Sequence, residues 1–171
     1  MSWSDSDNVQ GRYLTAEVCE NGHPTTGAIE QAPERSIKFC DQCGAKTIQA
    51  CPSCNAPIRG SYLIMDGIYL ADAPYFRPNH CHNCGAGFPW TTAKVEAAKE
   101  YVTDIEGLDD TEKAQLQGAI VDLAAGGART ELAANRFKKL VAKAGQKVGG
   151  SLYGIVVDVL SEAAKKAITG F

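Results

Sequence analysis

The sequence holds only three histidines in 171 residues, at positions 23, 80 and 82. None starts the His-x-Glu pattern that a zinc deaminase would need. No apolar run reaches the roughly 18 residues of a membrane helix. The longest apolar stretch near the end, Ile155-Val156-Val157, is interrupted by Asp158. Met1 to Gln10 is rich in Ser and Asp and lacks the basic and apolar regions of a signal peptide, so a cytoplasmic chain is expected. A basic excess is missing too. Residues 1–90 carry six Lys or Arg against nine Asp or Glu, and residues 91–171 carry eleven of each. A general nucleic-acid binder usually leaves a positive footprint instead. No P-loop and no nucleophile elbow occurs, and no nucleophile–base set can be assembled.

Cysteine is plentiful, but confined. All seven lie between Cys19 and Cys84. An odd number leaves one thiol over in any complete disulfide scheme, and a cytoplasmic setting favours metal ligation. Cys40/Cys43, Cys51/Cys54 and Cys81/Cys84 each enclose two residues, the spacing that wraps one ion in a tight turn. Gly follows the second cysteine in Cys43-Gly44 and Cys84-Gly85, where the turn calls for positive φ. In Cys51-Pro52-Ser53-Cys54, proline presets the backbone. Two pairs give a four-cysteine site, Cys51, Cys54, Cys81 and Cys84. Cys40 and Cys43 need two more donors, and Cys19 and His23 supply them through Cys-Glu-Asn-Gly-His. Two zinc ions per chain follow, held as structural four-ligand sites. His80 and His82 flank Cys81 and are competing donors or hydrogen-bond partners of a sulfur. The order of the cysteines reads as a weak tandem repeat, Cys19 to Gly44 and Cys51 to Gly85.

Composition changes near residue 90. The segment 13–90 has Pro, Gly and short apolar runs such as Ser61-Tyr62-Leu63-Ile64, which read as strands. Residues 91–171 have no proline and no cysteine and are rich in Ala, Lys and Glu, which reads as helix. The expected class is α+β: a tail at 1–12, tandem β-rich zinc ribbons over 13–90, and about four helices over 91–171. Thr91 or Thr92 is expected to cap the first helix, with Val95, Ala98, Val102 and Ile105 inward and Gly107 as its stop. Asp109 and Glu112 form a capping box for the second, whose inward residues are Leu116, Ala119, Ile120 and Leu123, and Gly126-Gly127 ends it. The third runs from Thr130 to Lys147, with Ala133, Phe137, Leu140, Val141 and Ala144 inward. Gly149-Gly150 separates it from a fourth that Ser151 caps. The inward stripe of the fourth is Leu152, Ile155, Val156, Val159, Ala163 and Ala167. Leu152, Ile155, Val156 and Val159 serve either as core or as a face for a partner or a second copy.

Arg129, Arg136, Lys138, Lys139, Lys143 and Lys147 accompany a single Glu131 around the third helix. They read as a solvated face or as contacts to an anionic partner. Ile58-Arg59-Gly60-Ser61-Tyr62 and Tyr75-Phe76-Arg77-Pro78 mix Arg with aromatics, a combination that packs ribbons or stacks bases. Trp90 is expected to pack at the junction.

Several segments together resemble a bacterial family, the domain of unknown function 2321. They are Val18-Cys19-Glu20-Asn21-Gly22-His23, Lys38-Phe39-Cys40-Asp41-Gln42-Cys43-Gly44, Cys51-Pro52-Ser53-Cys54, Tyr75-Phe76-Arg77-Pro78, Cys81-His82-Asn83-Cys84-Gly85, Pro89-Trp90-Thr91 and Arg136-Phe137-Lys138-Lys139. The similarity extends from about Tyr13 over most of the chain. It implies a bacterial origin and tandem zinc ribbons, and no activity. The expected function is a zinc-binding adaptor or protein-interaction module, with another protein or a second copy as partner. The alternative is a nucleic-acid-binding accessory protein that uses the ribbon aromatics and the basic third helix.

Overall fold

The computed structural model describes residues 11–64 and 74–170. The architecture is α+β, with small antiparallel sheets followed by five α-helices. The chain divides into two compact units, the first ending at Trp90 and the second beginning at Thr91.

In the first unit, β1 (Gly11–Thr15) pairs antiparallel with β5 (Arg59–Ile64), in the register Gly11↔Ile64, Arg12↔Leu63, Tyr13↔Tyr62. A bulge then brings Thr15 opposite Arg59. Gly11 and Arg12, expected in the tail, are therefore strand residues, because β5 supplies them with a partner. Residues 1–10 of that tail lie outside the described residues. A second sheet has β2 (Glu17–Cys19) at its centre, flanked by β3 (Pro24–Thr26) and β4 (Thr47–Ile48). The core is small: Ala16, Val18, Ile58, Phe88 and Trp90 close around the sulfur-bearing residues Cys51 and Cys81. Phe88 and Trp90 stack with centroids 4.7 Å apart. A core this size stabilises a unit only marginally by itself.

The second unit packs α1 (Pro89–Thr103), α2 (Asp110–Ala125), α3 (Thr130–Ala144), α4 (Gln146–Val156) and α5 (Glu162–Thr169). The division between the units falls within the first turn of α1. That helix starts at Pro89 rather than after Thr91 or Thr92, because proline lacks the N–H that a first helical residue leaves unpaired. It ends at Thr103, before Gly107. The expected capping box forms: Asp109 Oδ1 accepts from the Glu112 amide at 2.9 Å, and Glu112 Oε2 accepts from the Asp109 amide at 3.1 Å. Gly126 closes α2.

Two further boundaries differ from the sequence reading. Gly145, at φ 105°, ends α3, so Lys147 and Gly149-Gly150 belong to α4, and Ser151 lies inside that helix instead of capping it. The expected fourth helix is also two. A 3-10 turn over Val157–Val159 breaks it, and Ser161 caps α5 by accepting from the Ala164 amide at 3.2 Å. Consecutive β-branched valines crowd a helix, and the local cap of Ser161 offers a restart. The restart shifts the inward phase, so Ala164 is buried and Ala163 is exposed. Leu152, Val156 and Val159 are buried in the core with Phe137, Leu140, Leu116 and Ile120, and Ile155 packs against it half-buried. The stripe is thus engaged inside the unit.

Candidate metal centres

Three of the turns that carry the ligands share one backbone design. The amide of the first cysteine donates to a carbonyl five residues ahead: Cys40 to Ala45, Cys51 to Ala56 and Cys81 to Ala86, each at 2.8 Å. The residue after the second cysteine donates back to the first cysteine's carbonyl: Gly44 to Cys40 at 2.8 Å, Asn55 to Cys51 at 2.8 Å and Gly85 to Cys81 at 2.9 Å. Those three residues all have positive φ, 71°, 60° and 73°. Asn55 fills the place of the glycine, since Asn tolerates the left-handed region better than other non-glycine residues. The repeat is therefore Cys-x-x-Cys-(Gly or Asn)-Ala, three times, a signal visible in the sequence once Asn is allowed at the turn. The Cys19 turn is a longer variant, with the Cys19 amide donating to His23 O at 2.9 Å and the Gly22 amide to Cys19 O at 2.7 Å.

These turns face each other in pairs. Cys19, His23, Cys40 and Cys43 bring their donor atoms within 4.8 Å of one another, and so do Cys51, Cys54, Cys81 and Cys84. In the first cluster, His23 Nδ1 lies 3.6 Å from Cys19 Sγ and 3.7 Å from Cys40 Sγ, and Cys19 Sγ lies 3.8 Å from Cys43 Sγ. In the second, Cys51 and Cys84 are 3.8 Å apart and Cys54 and Cys81 are 3.6 Å apart. All seven thiols are free, far beyond the roughly 2.05 Å of a disulfide. The clusters also share a burial pattern: in chain order, buried, half-buried, buried, exposed. His23 thus occupies in the first cluster the place that Cys54 occupies in the second. His80 and His82, the competing donors, are exposed and belong to neither cluster.

The surroundings move the thiols of the clusters in both directions. The Ala45 amide, helped by Asn21, His23 and Cys40, brings the Cys43 thiol down to about 6. The Ala56 amide does the same for Cys54, with the Asn83 side chain second, also to about 6. At Cys84 the Ala86 amide again pulls downward, but Cys54, burial, Cys51 and Cys81 outweigh it and push the thiol up to about 12. Four crowded sulfurs resist becoming anions together unless a positive ion sits among them.

Two residues missed in the sequence touch the sulfurs. Asn21 Nδ2 donates to Cys43 Sγ at 3.4 Å, and Asn83 Nδ2 donates to Cys54 Sγ at 3.6 Å. A third, Glu17, supports the first cluster from beneath. Its buried carboxylate accepts from Thr25 Oγ1 at 2.8 Å, Ser36 Oγ at 2.8 Å, the Ile37 amide at 2.9 Å and Gln49 Nε2 at 2.8 Å. Burial raises its pKa, but Gln49, the Ile37 amide, Thr25 and Ser36 overcome this and hold it below the usual carboxylate range. Two of the residues it ties down, Ser36 and Ile37, lead directly into Lys38-Phe39-Cys40.

The remaining candidates are distributed differently. Arg129 Nε pairs with Asp122 at 3.3 Å, and Lys143 Nζ pairs with Glu112 at 2.6 Å. Arg136, Lys138, Lys139 and Lys147 are exposed. Arg77 is drawn inward over the Trp90 ring, 5.4 Å from its centroid, and Arg59 lies over Tyr13, 4.7 Å from the ring centre. Tyr75 donates to the Arg59 carbonyl at 2.7 Å. No helix among the described residues is long and apolar enough to cross a membrane.

The fold and its clusters define a class: an α+β protein whose small β-rich unit carries two Cys/His clusters, each bringing four donor atoms within reach of a single ion. Over residues 12–168 the chain matches the family described as an uncharacterised protein conserved in bacteria, domain of unknown function 2321, and it belongs to that family. No curated protein and no solved structure matches it.

Proposed function

We propose that both centres hold structural zinc, and that the zinc-stabilised unit is a protein-interaction module with no catalytic site of its own. The donor spacing carries this reading. A tetrahedron with zinc–sulfur bonds of about 2.3 Å places its sulfurs about 3.8 Å apart, and an imidazole nitrogen about 3.5 Å from each sulfur. Three of the six donor pairs in the first cluster and two of the six in the second lie at 3.6 to 3.8 Å, and all lie within 4.8 Å. Cys, with one His, is a donor set that suits zinc. Four protein ligands at each ion leave no position for substrate or a metal-bound water, which is the mark of a structural site.

The interaction reading is supported by what the unit leaves uncovered. Phe39, at the mouth of the first cluster, is 64% exposed beside a groove of about 600 Å³ that Lys38, Lys46, Ile37 and Ala50 also line. Phe76 is 88% exposed. An aromatic flanked by two lysines suits a partner segment that joins an apolar side chain to carboxylates. Nucleic acid gains less support, because Arg77 is engaged inside the unit and Arg129 and Lys143 are in ion pairs.

The test places a photo-crosslinking amino acid at Phe39 in the full chain, in its native bacterium. A discrete protein adduct is expected, abolished by Lys38→Glu with Lys46→Glu, while zinc content and melting temperature stay unchanged. Adducts to nucleic acid, or none at Phe39 and at Phe76, reject the reading.

A further inference from the structure

Asn21 and Asn83 occupy corresponding positions, each two residues after the first cysteine of its turn. Each reaches out of its own turn to a sulfur of the facing one: Asn21 to Cys43, 22 residues away, and Asn83 to Cys54, 29 residues away. In both cases the acceptor is the second cysteine of its pair. Both asparagines are exposed, so burial does not dictate where their amides point, and water competes for the same donors. The same hydrogen bond, made independently in two clusters that differ in ligand set, marks a common purpose.

We infer that Asn21 and Asn83 are positioning residues of the two metal centres, each fixing one ligand sulfur and withdrawing charge from it so that the ion is retained. The inference rests on the zinc reading above. Three thiolates around a divalent ion leave one excess negative charge, and four leave two. A donated N–H spreads that charge and makes the sulfur a weaker nucleophile toward electrophiles and competing metals. The consequence is unequal for the two exposed sulfurs. Cys43 receives an amide side chain. Cys84, in the more negative cluster, is exposed, and the asparagine of that cluster serves Cys54 instead. Cys84 is therefore the point at which an electrophile first opens the protein's metal sites.

The experiment uses full-length, metal-loaded protein with Asn21→Leu and Asn83→Leu, and Asn21→Asp and Asn83→Asp as polar variants that also lack the donor. Zinc affinity is read by competition with a chromophoric chelator, and the sulfur-to-cobalt charge-transfer band is read after cobalt substitution. Each variant is expected to weaken its own site about 10- to 100-fold and leave the other unchanged. Its cobalt band is expected to shift, which removing a merely structural interaction would not cause. Iodoacetamide mapped by peptide mass spectrometry should modify Cys84 first in the wild type, and Cys43 alongside it in Asn21→Leu. Wild-type affinity and an unshifted band in the variants of either asparagine overturn the inference. A wild-type chain that fails to hold two ions with four-ligand spectra overturns the zinc reading itself.

Discussion

Arg77 Nε donates to the carbonyl of Gly22 at 2.6 Å. Gly22 lies in the turn between Cys19 and His23, and Arg77 stands four residues before Cys81, so one side chain ties the segments of the two Cys/His clusters together. Its Nη1 also donates to Asn79 Oδ1 at 3.1 Å, its guanidinium lies over Trp90, and Trp90 Nε1 donates to Pro78 O at 3.1 Å. Gly22 has φ 91°, and a Cβ there would come within 2.8 Å of Arg77 Nε and 2.9 Å of Trp90 Cβ. Only glycine lets the first turn approach this closely.

Arg77→Ala should therefore destabilise the zinc-loaded protein by about 2 kcal/mol, because it removes a charged hydrogen bond and a cation–π interaction together. Urea unfolding checks it. Arg77→Lys should recover only part, because an ammonium cannot reproduce the planar guanidinium's simultaneous hold on Gly22, Asn79 and Trp90. A midpoint equal to the wild type would show that the link between the clusters is energetically idle.

Purified protein should carry two zinc ions per chain by elemental analysis. His23→Ala should carry one, because His23 belongs to one cluster alone. Structural zinc contributes on the order of 10 kcal/mol to a small metal unit, so local order around Cys19 to Lys46 should disappear with it. Chelation of the wild type should spare most of the helical signal, since the core of the helical unit contains no metal ligand. A dominant iron signal, or two zinc ions in His23→Ala, would contradict the assignment.

Glu17→Gln should cost about 1–3 kcal/mol, because an amide nitrogen replaces an acceptor that buried donors require. The pH dependence has a fixed sign. The folded pKa of Glu17 is lowered, so its contribution is fully present above the ordinary carboxylate range and disappears as pH falls through the lowered value. The gap between wild type and variant, measured by denaturant unfolding, should be flat between pH 6 and 8 (roughly two units or more above an unperturbed Glu) and should narrow in acid. A gap that widens on acidification would refute the role of this carboxylate.

Val156→Asp and Val159→Asp should each collapse the thermal melt, because both side chains are at most 1% exposed and a buried, unpaired carboxylate costs several kcal/mol. Light scattering run beside the melt separates the alternatives. Reduced mass with an unchanged melt would mean that the stripe is an assembly face instead.

The ligands, the turns that present them and the α+β class are legible in the sequence because they are local. A knuckle closes within six residues, and a capping box within four. The break in the last helix is not legible, because the apolar spacing runs on through Val157–Val159 while packing around Leu160 and the Ser161 cap decides where the helix stops. Trp90 is expected at a junction, and its burial against Phe88 depends on the first unit closing around it. By itself, then, the sequence determined which Cys and His residues cluster in two groups of four and, in outline, which region becomes strand and which becomes helix. Tertiary structure alone decided which exposed asparagine reaches which sulfur, that Glu17 is a buried anchor, and that Arg77 joins the segments of two clusters across 55 residues of chain. These interactions connect residues with no periodic or spacing relation, and only the folded backbone brings their donors and acceptors within hydrogen-bonding range.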